Sequence, residues 1–585
     1  MTATSTRNSP NGGDAPFKAR LPLSAAIVAT VLFGASLAAG LSYAGYYFLL
    51  RPSARLSSIN YRDLVEVVKI AFTVVAGVGG TIALTVAVRK QRFAERQHKL
   101  SEADADRQDR RILDERFRNA VTQLGERGSA AVRIGGAYAL AKLADDWLVE
   151  RQTCINVLCG YLRFPYESLD DNDEREVRRT IVGIIRQHLL RGAEFSWNGN
   201  LFDLTGAVID HFDLSDIFLE ASILRLRGCL LQSGSFSMNM ISVVGGEIDA
   251  RELRIVNGGV LDAQSAYLSE FGEISLAGST ISSGTVTFEN AQIESGRLLL
   301  DNVKIDDGGA LNLSYVKIAT VSEDESNLSP LSLDEVDISA GTVNLEHLRI
   351  LTSSDDSDTT WTGGRKEAPR QLVASFEQII LKDGEISFRH TALPCGHFSF
   401  SCAALSGGVL DFGYAKLRDC HLDFSGAKID GGCINFSGSY IGISLSDKMS
   451  PASGFAYEWL ENLRNTNDVS SRDMVWQESP FGVVEFLDTE LCRGHINFDR
   501  VKVRGALLDF PGLQASGGTI TFADSMFTYA LISLWNARLT GDCKIEIQPV
   551  LTQDLTVLYS QAWGGLKDHV VLGERVKLLE VSADD

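Results

Sequence analysis

The hydrophobic residues in the C-terminal two thirds of the chain recur at a fixed step. Aligned on a glycine, GEIDARELRI from Gly246, GVLDAQSAYL from Gly259, GEISLAGSTI from Gly272, GTVTFENAQI from Gly284, GRLLLDNVKI from Gly296 and GALNLSYVKI from Gly309 follow at 12 or 13 residues. Units beginning at Gly384, Gly396, Gly408, Cys420 and Gly432 keep a step of 12, and Gly482/Gly494 and Gly518/Ala530 repeat it. Positions three, five and ten are apolar, as in Leu410, Phe412 and Leu417, and the first two obey the period of two of a strand. Position eight is often small, as at Ala415 and Ala427, and glycine at position one suits a backbone turn closed to other residues. Ahead of these units the chain opens in fives, with Leu204, Ile209, Leu214, Leu219 and Leu224 as central aliphatics and Phe202, Ala207, Phe212, Ile217 and Ser222 two positions earlier. No unit buries its apolar residues alone, but a stack buries a continuous column.

The pattern predicts a right-handed β-solenoid, pentapeptide-repeat-like and built mostly of 12-residue units, over residues 194–548. Two units per coil would give about 24 residues a turn and roughly nine coils at the usual interstrand spacing. Polar stretches at 320–328, 351–370 and 442–481 read as loop insertions. The last contains FAYEWLENLRN, a short amphipathic helix with Phe455, Trp459 and Leu463 on one side. Residues 549–585 read as a C-terminal strand-and-helix cap, with Leu551, Leu558, Trp563, Val570 and Leu572 available to cover the open end.

Toward the N-terminus the period becomes helical. Residues 89–124 alternate in charge without glycine or proline, as one long solvated helix would. Three further helices follow, carrying Leu140 and Leu143, then Ile155 and Leu158, then Val177, Ile181 and Ile185 inward. The third starts acidic and ends with Arg186, His188 and Arg191, matching its dipole. Residues 89–193 are therefore expected to form a charged helix and an α-helical collar. Upstream, Leu21–Leu50 and Ile70–Val88 carry no charge. They predict two transmembrane helices, 21–50 and 63–88, a short external loop at 51–62 and a cytoplasmic tail at 1–20. Eight basic residues flank the pair (Arg7, Lys18, Arg20, Arg89, Lys90, Arg92, Arg96, Lys99) against three in the loop. That asymmetry expects a two-span inner (plasma) membrane protein with both termini cytoplasmic and the lipid bilayer as a partner.

Charge sharpens the picture. Residues 1–120 hold 17 Lys/Arg and 10 Asp/Glu, a net of +7, leaving 38 against 65, a net of −27, for the remainder. An acidic body argues against non-specific nucleic-acid binding. The nine cysteines form no CxxC pair, and several stand in repeat slots that glycine or alanine also fills, so small buried fillers are expected rather than a disulfide framework. There is no nucleophile elbow, phosphate loop, dinucleotide fingerprint or zinc-ligand spacing. No catalytic residue and no cofactor are expected.

One constellation has metal-ligand chemistry. His397, His421 and His495 occupy position two of their units, which should face outward. At 24 residues per coil His397 and His421 are adjacent rungs about 5 Å apart, near enough to share a metal ion, although spacing fixes no carboxylate or thiolate partner. A solvated ladder is the simpler reading. Asp411, Asp423 and Asn435 at position four form a similar outward stripe.

The block RFRNAVTQLGERGSAAVRIGGAYALAKLA behind two uncharged runs, followed by arrays such as GGVLDFGYAKL and GGCINFSGSYI, resembles actinobacterial membrane-bound pentapeptide-repeat-containing proteins. The resemblance covers collar and array, about three quarters of the chain, and departs in keeping true fives only over 202–224. It implies an architecture more than a chemistry. The expected function is a membrane-tethered β-solenoid scaffold or protein-interaction module, not an enzyme, with a protein partner, no nucleic acid and room for a homo-oligomer. The first alternative is an acidic DNA-mimicking topoisomerase binder, which the soluble quinolone-resistance pentapeptide proteins resemble, though their arrays keep fives throughout. The second is an exported glycan-binding or glycan-cleaving β-helix, which needs carboxylates clustered in one groove.

Overall fold

A computed structural model describes residues 23–49, 61–165, 172–319, 329–351, 372–418, 420–442, 482–560, 568–573 and 576–581. The chain divides into two compact units, Met1–Ile112 and Leu113–Asp585. The first holds α1 (Leu23–Leu49) and most of α2 (Tyr61–Leu124), which runs unbroken for 64 residues. The long charged helix expected after residue 89 is thus part of α2. Among the described residues, however, no helix is long and apolar enough to cross a membrane. The expectation of two transmembrane helices, and of a two-span inner-membrane location, is corrected accordingly. It rested on missing charge, and missing charge is not strong apolarity. Fourteen of the 27 residues of α1 are Ala, Gly, Ser or Thr, as are ten of the 19 in Ile70–Val88.

In the second unit the last turns of α2 pack with α3 (Ala130–Asp146), α4 (Arg151–Arg163) and α5 (Asn172–Leu189). Gly136 explains how α3 meets α2 so closely, since a Cβ there would lie 2.4 Å from the Leu124 amide nitrogen. Leu140, Ile155, Leu158, Val177 and Ile181 are buried between the helices. A polar network closes the group. Glu174 accepts from Arg133 (2.7 Å), Tyr161 (2.8 Å) and Arg178 (2.8 Å), and Arg178 also donates to the carbonyls of Leu162 and Phe164.

From Leu201 the chain winds as a right-handed parallel β-solenoid. Each coil has four short faces, visited in order. The first face is a 12-stranded sheet and the second a 13-stranded one. The third and fourth merge into a 24-stranded sheet, because the long strand Met526–Leu534 runs across both. Register confirms the 24-residue coil, with Gly396 opposite Cys420 and Leu410 opposite Ile434. About twelve turns form instead of nine. The opening fives supply coils of their own, and Leu551–Ser560, Val570–Leu572 and Lys577–Val581, read as a cap, continue the parallel ladders. The insertions 320–328, 352–370 and 443–481, with FAYEWLENLRN, lie outside the described residues. All three join the third face to the fourth, between Ala319 and Leu331, Leu351 and Leu372, and Gly442 and Val483.

Position five builds the interior. Phe376, Phe400, Phe424, Phe486 and Phe510 stack down one corner at 4.8 to 4.9 Å, and Phe388, Phe412, Phe436, Phe498 and Phe522 down the opposite one at 4.7 to 4.9 Å. The two stacks meet edge to face, Phe400 against Phe412 for example, an arrangement aromatic quadrupoles favour. Position eight fills the space beneath, by Ala415 and Ala427, or by Ser439, whose hydroxyl donates to the Phe412 carbonyl at 2.7 Å.

Glycine at position one has two causes: Gly396, Gly408, Gly432 and Gly518 take the positive φ that the sequence suggests (98°, 70°, 72° and 80°), and elsewhere close packing decides. Gly309 and Gly384 lie outside the left-handed region, yet a Cβ would come 2.2 Å from the Ile281 oxygen and 2.5 Å from the Gly341 oxygen. Close approach of the preceding rung excludes a side chain. A second left-handed corner is position seven, where non-glycine residues stand: His347, His390, Cys402, Tyr414, Arg500 and Asp524 adopt it with φ between 55° and 60°. At this corner Tyr414 N donates to Ser437 O of the next rung at 3.1 Å, as Phe412 N at position five does to Asn435 O at 2.7 Å.

Candidate functional site

The helices cover the first coil through specific side chains. Gln152 on α4 acts as a surrogate strand, its Nε2 donating to Leu201 O (2.7 Å) and its Oε1 accepting from Leu201 N (2.9 Å). Arg163 reaches Asp203 O and Oδ2, both at 2.8 Å, and from α5 Arg175 holds Asp210 and Arg186 holds Ser215 O. Trp197, fully buried at the junction, donates to Asp145 (3.0 Å) and stacks on His188 at 4.0 Å. These contacts satisfy the edge that an uncovered strand would expose.

His397 and His421 are Cα partners on the fourth face, and their rings stack at 4.8 Å with 15° between planes. Carboxylates that spacing did not reveal join them. His421 Nε2 lies 2.9 Å from Glu485 Oε2, and His397 Nε2 lies 3.8 Å from Asp423 Oδ2, too far for a hydrogen bond but near enough for charge attraction. Asp423 is displaced from its ordinary carboxylate range. Burial would raise it, but His397, Ser425 and Ser401 outweigh burial and hold it well below. Among the described residues no group of three or more His, Cys, Asp or Glu is arranged to hold a metal ion. Parallel stacking sets the two imidazoles side by side, whereas a shared ion about 2 Å from each nitrogen needs them to converge.

The other candidates separate. His495 stands on the second face, opposite Cys433 and Thr519, with Nδ1 2.5 Å from Thr519 Oγ1. Asp411 and Asn435 are neighbours on that face, Asn435 Nδ2 donating to Asp411 Oδ1 at 2.8 Å, while Asp423 belongs to the fourth. Each accepts from the amide two residues on, so position four closes a turn. Of the cysteines, Cys154, Cys159, Cys229, Cys420 and Cys543 are buried, burial pushing the Cys159 thiol up to about 12. Cys402 is exposed at a left-handed corner and fills no interior slot.

Two further ladders escaped the sequence reading. At the corner between the fourth and first faces, Ser332, Ser375 and Ser399 donate to Asp301 (2.5 Å), Asp334 (2.5 Å) and Glu377 (2.9 Å) of the preceding rung. Burial raises Asp301, and the charges of Asp334 and Glu335 add to the rise. At the corner between the second and third faces, Tyr315, His347, His390 and Tyr414 stack in line at 4.6, 5.5 and 5.4 Å. The signal was position seven, read down consecutive coils. These rings cover one another's faces, and the carboxylates are bonded to neighbouring rungs. No family model and no curated protein matches the chain.

Proposed function

We propose that this protein is a non-catalytic scaffold whose β-solenoid presents long, straight rows of side chains to protein partners. The observation that carries the reading is the uninterrupted column of about twelve parallel coils, whose register fixes each outward residue relative to those above and below. Such regularity suits a surface read over several rungs. The histidines and carboxylates with catalytic potential are engaged in rung-to-rung contacts that lock the column. A photo-crosslinking residue placed in turn on each face of the full chain, in cells, tests this. A recurrent adduct confined to one face is expected, and no specific adduct from any face would overturn the reading.

A further inference from the structure

The outward-facing residues of the third face change character at Lys317. Down the ladder Lys317 pairs with Arg349, Arg349 with Ala392, Ala392 with Lys416, Lys416 with Tyr440 and Tyr440 with Lys502. Arg418 and Arg504, two residues beyond Lys416 and Lys502, face the same way. Alternation puts Ile318, Ile350, Leu417 and Val503 inside and leaves the cations outside. From Lys317 to Thr528 no outward strand residue of this face is Asp or Glu. Six cations therefore stand along five rung steps, about 24 Å.

What sets them apart is that they follow one another with no carboxylate between them, whereas Arg254, Lys304 and Arg538 on the first face are interleaved with Thr280, Asp337, Glu490 and Gln514. Elsewhere on the solenoid Arg251 pairs with Asp249, Lys382 with Asp337, Arg389 with Asp411, Lys428 with Glu490 and Arg493 with Asp430. None of the six on the third face makes an ion pair or a side-chain hydrogen bond among the described residues, and Arg418 Nε is buried with no acceptor. A buried guanidinium N–H without an acceptor is costly, and an incoming anion would satisfy it. Two carboxylates at the corner leading into this face already accept hydrogen bonds, Glu346 from Ser387 and Asp499 from the Ala523 amide. Between the cations lie the half-buried, uncharged residues Ala319, Leu351 and Tyr440.

We propose that this third face is the docking surface for a short, extended acidic segment of a partner protein. The inference rests on the scaffold reading and adds to it the surface and the partner's chemistry. About 24 Å accommodates roughly seven residues of extended chain. The rest of the body is strongly acidic and repels a polyanion that overruns the stripe, so a short segment is favoured over nucleic acid.

Fluorescence anisotropy with labelled octaglutamate and the full chain tests the assignment. Binding is expected at low salt, weakening as salt rises, and falling at least about tenfold in R349E/K416E/K502E. The first-face variant R254E/K304E/R538E, which alters net charge equally, should bind within about twofold of the parent. Matching melting curves establish that both variants fold. Unchanged binding in R349E/K416E/K502E overturns the proposal. So does tighter, stripe-dependent binding of oligothymidylate of equal charge, which assigns the face to nucleic acid, or stripe-dependent self-association, which assigns it to a second copy. If the stripe variant still gives every adduct of the parent in cells, this assignment fails and the scaffold reading stands. Octaglutamate binding with no adduct from any face gives the reverse.

Discussion

Single residues in this column act through the rung above and the rung below. Phe412 touches Phe388 and Phe436 in its own stack and Phe400 and Phe424 edge to face. Phe412→Ala should cost about 3–5 kcal/mol, read as a lowered denaturation midpoint, because the rungs cannot close over the cavity. At position one Gly309→Ala should destabilise, since the new methyl meets the Ile281 carbonyl, whereas Tyr414→Asn at position seven should keep the fold, since asparagine tolerates the left-handed corner. Titration separates two carboxylates. Asp423 is depressed in the folded chain, so it stabilises above the unfolded value near about 4 and loses that contribution as pH falls through its folded value. The stability gap between the parent and Asp423→Asn should therefore be widest at neutral pH and close on acidification. Asp301 is raised, so its ionisation costs stability as pH rises, and Asp301→Asn should gain on the parent from acid to neutral pH. Equal, pH-independent offsets for both variants would contradict these assignments.

At the scale of elements, the helices earn their place by closing an edge. Gln152 supplies both halves of a peptide hydrogen-bond pair to Leu201, which no apolar contact can replace. Gln152→Ala should leave that N–H and C=O unpaired and cost about 1–3 kcal/mol. Hydrogen exchange should show faster exchange at Leu201–Asp203 and little change beyond the next few coils, since stability in a stacked array is transmitted through neighbours. Slow exchange at Leu201–Asp203 in the variant would show that the helices close this edge by other contacts. Much of this level was legible. The inward faces of α3, α4 and α5 follow from apolar spacing, but the partners of Gln152, Arg163 and Arg186 do not, because polar residues on a helix surface carry no periodic mark of what they meet.

For the whole molecule, the outward stripes matter most, and each is a property of stacking. A 24-residue coil brings Lys317, Arg349, Lys416 and Lys502 into one line although they span 186 residues of sequence. The same stacking put His397 against His421 as the repeat length required, and sent His495 to another face because half a coil separates the two kinds of unit. The apolar positions, the 12-residue step and the interior phenylalanines were determined by sequence alone, since burial leaves a local period of two that no tertiary information is needed to see. Coil number, the close approach that excludes a side chain at Gly309 and Gly384, the left-handed corner at position seven and the alignment of cations on the third face were decided only by tertiary structure. Insertions of unequal length hide rung alignment from the linear chain, and only pairing between rungs restores it.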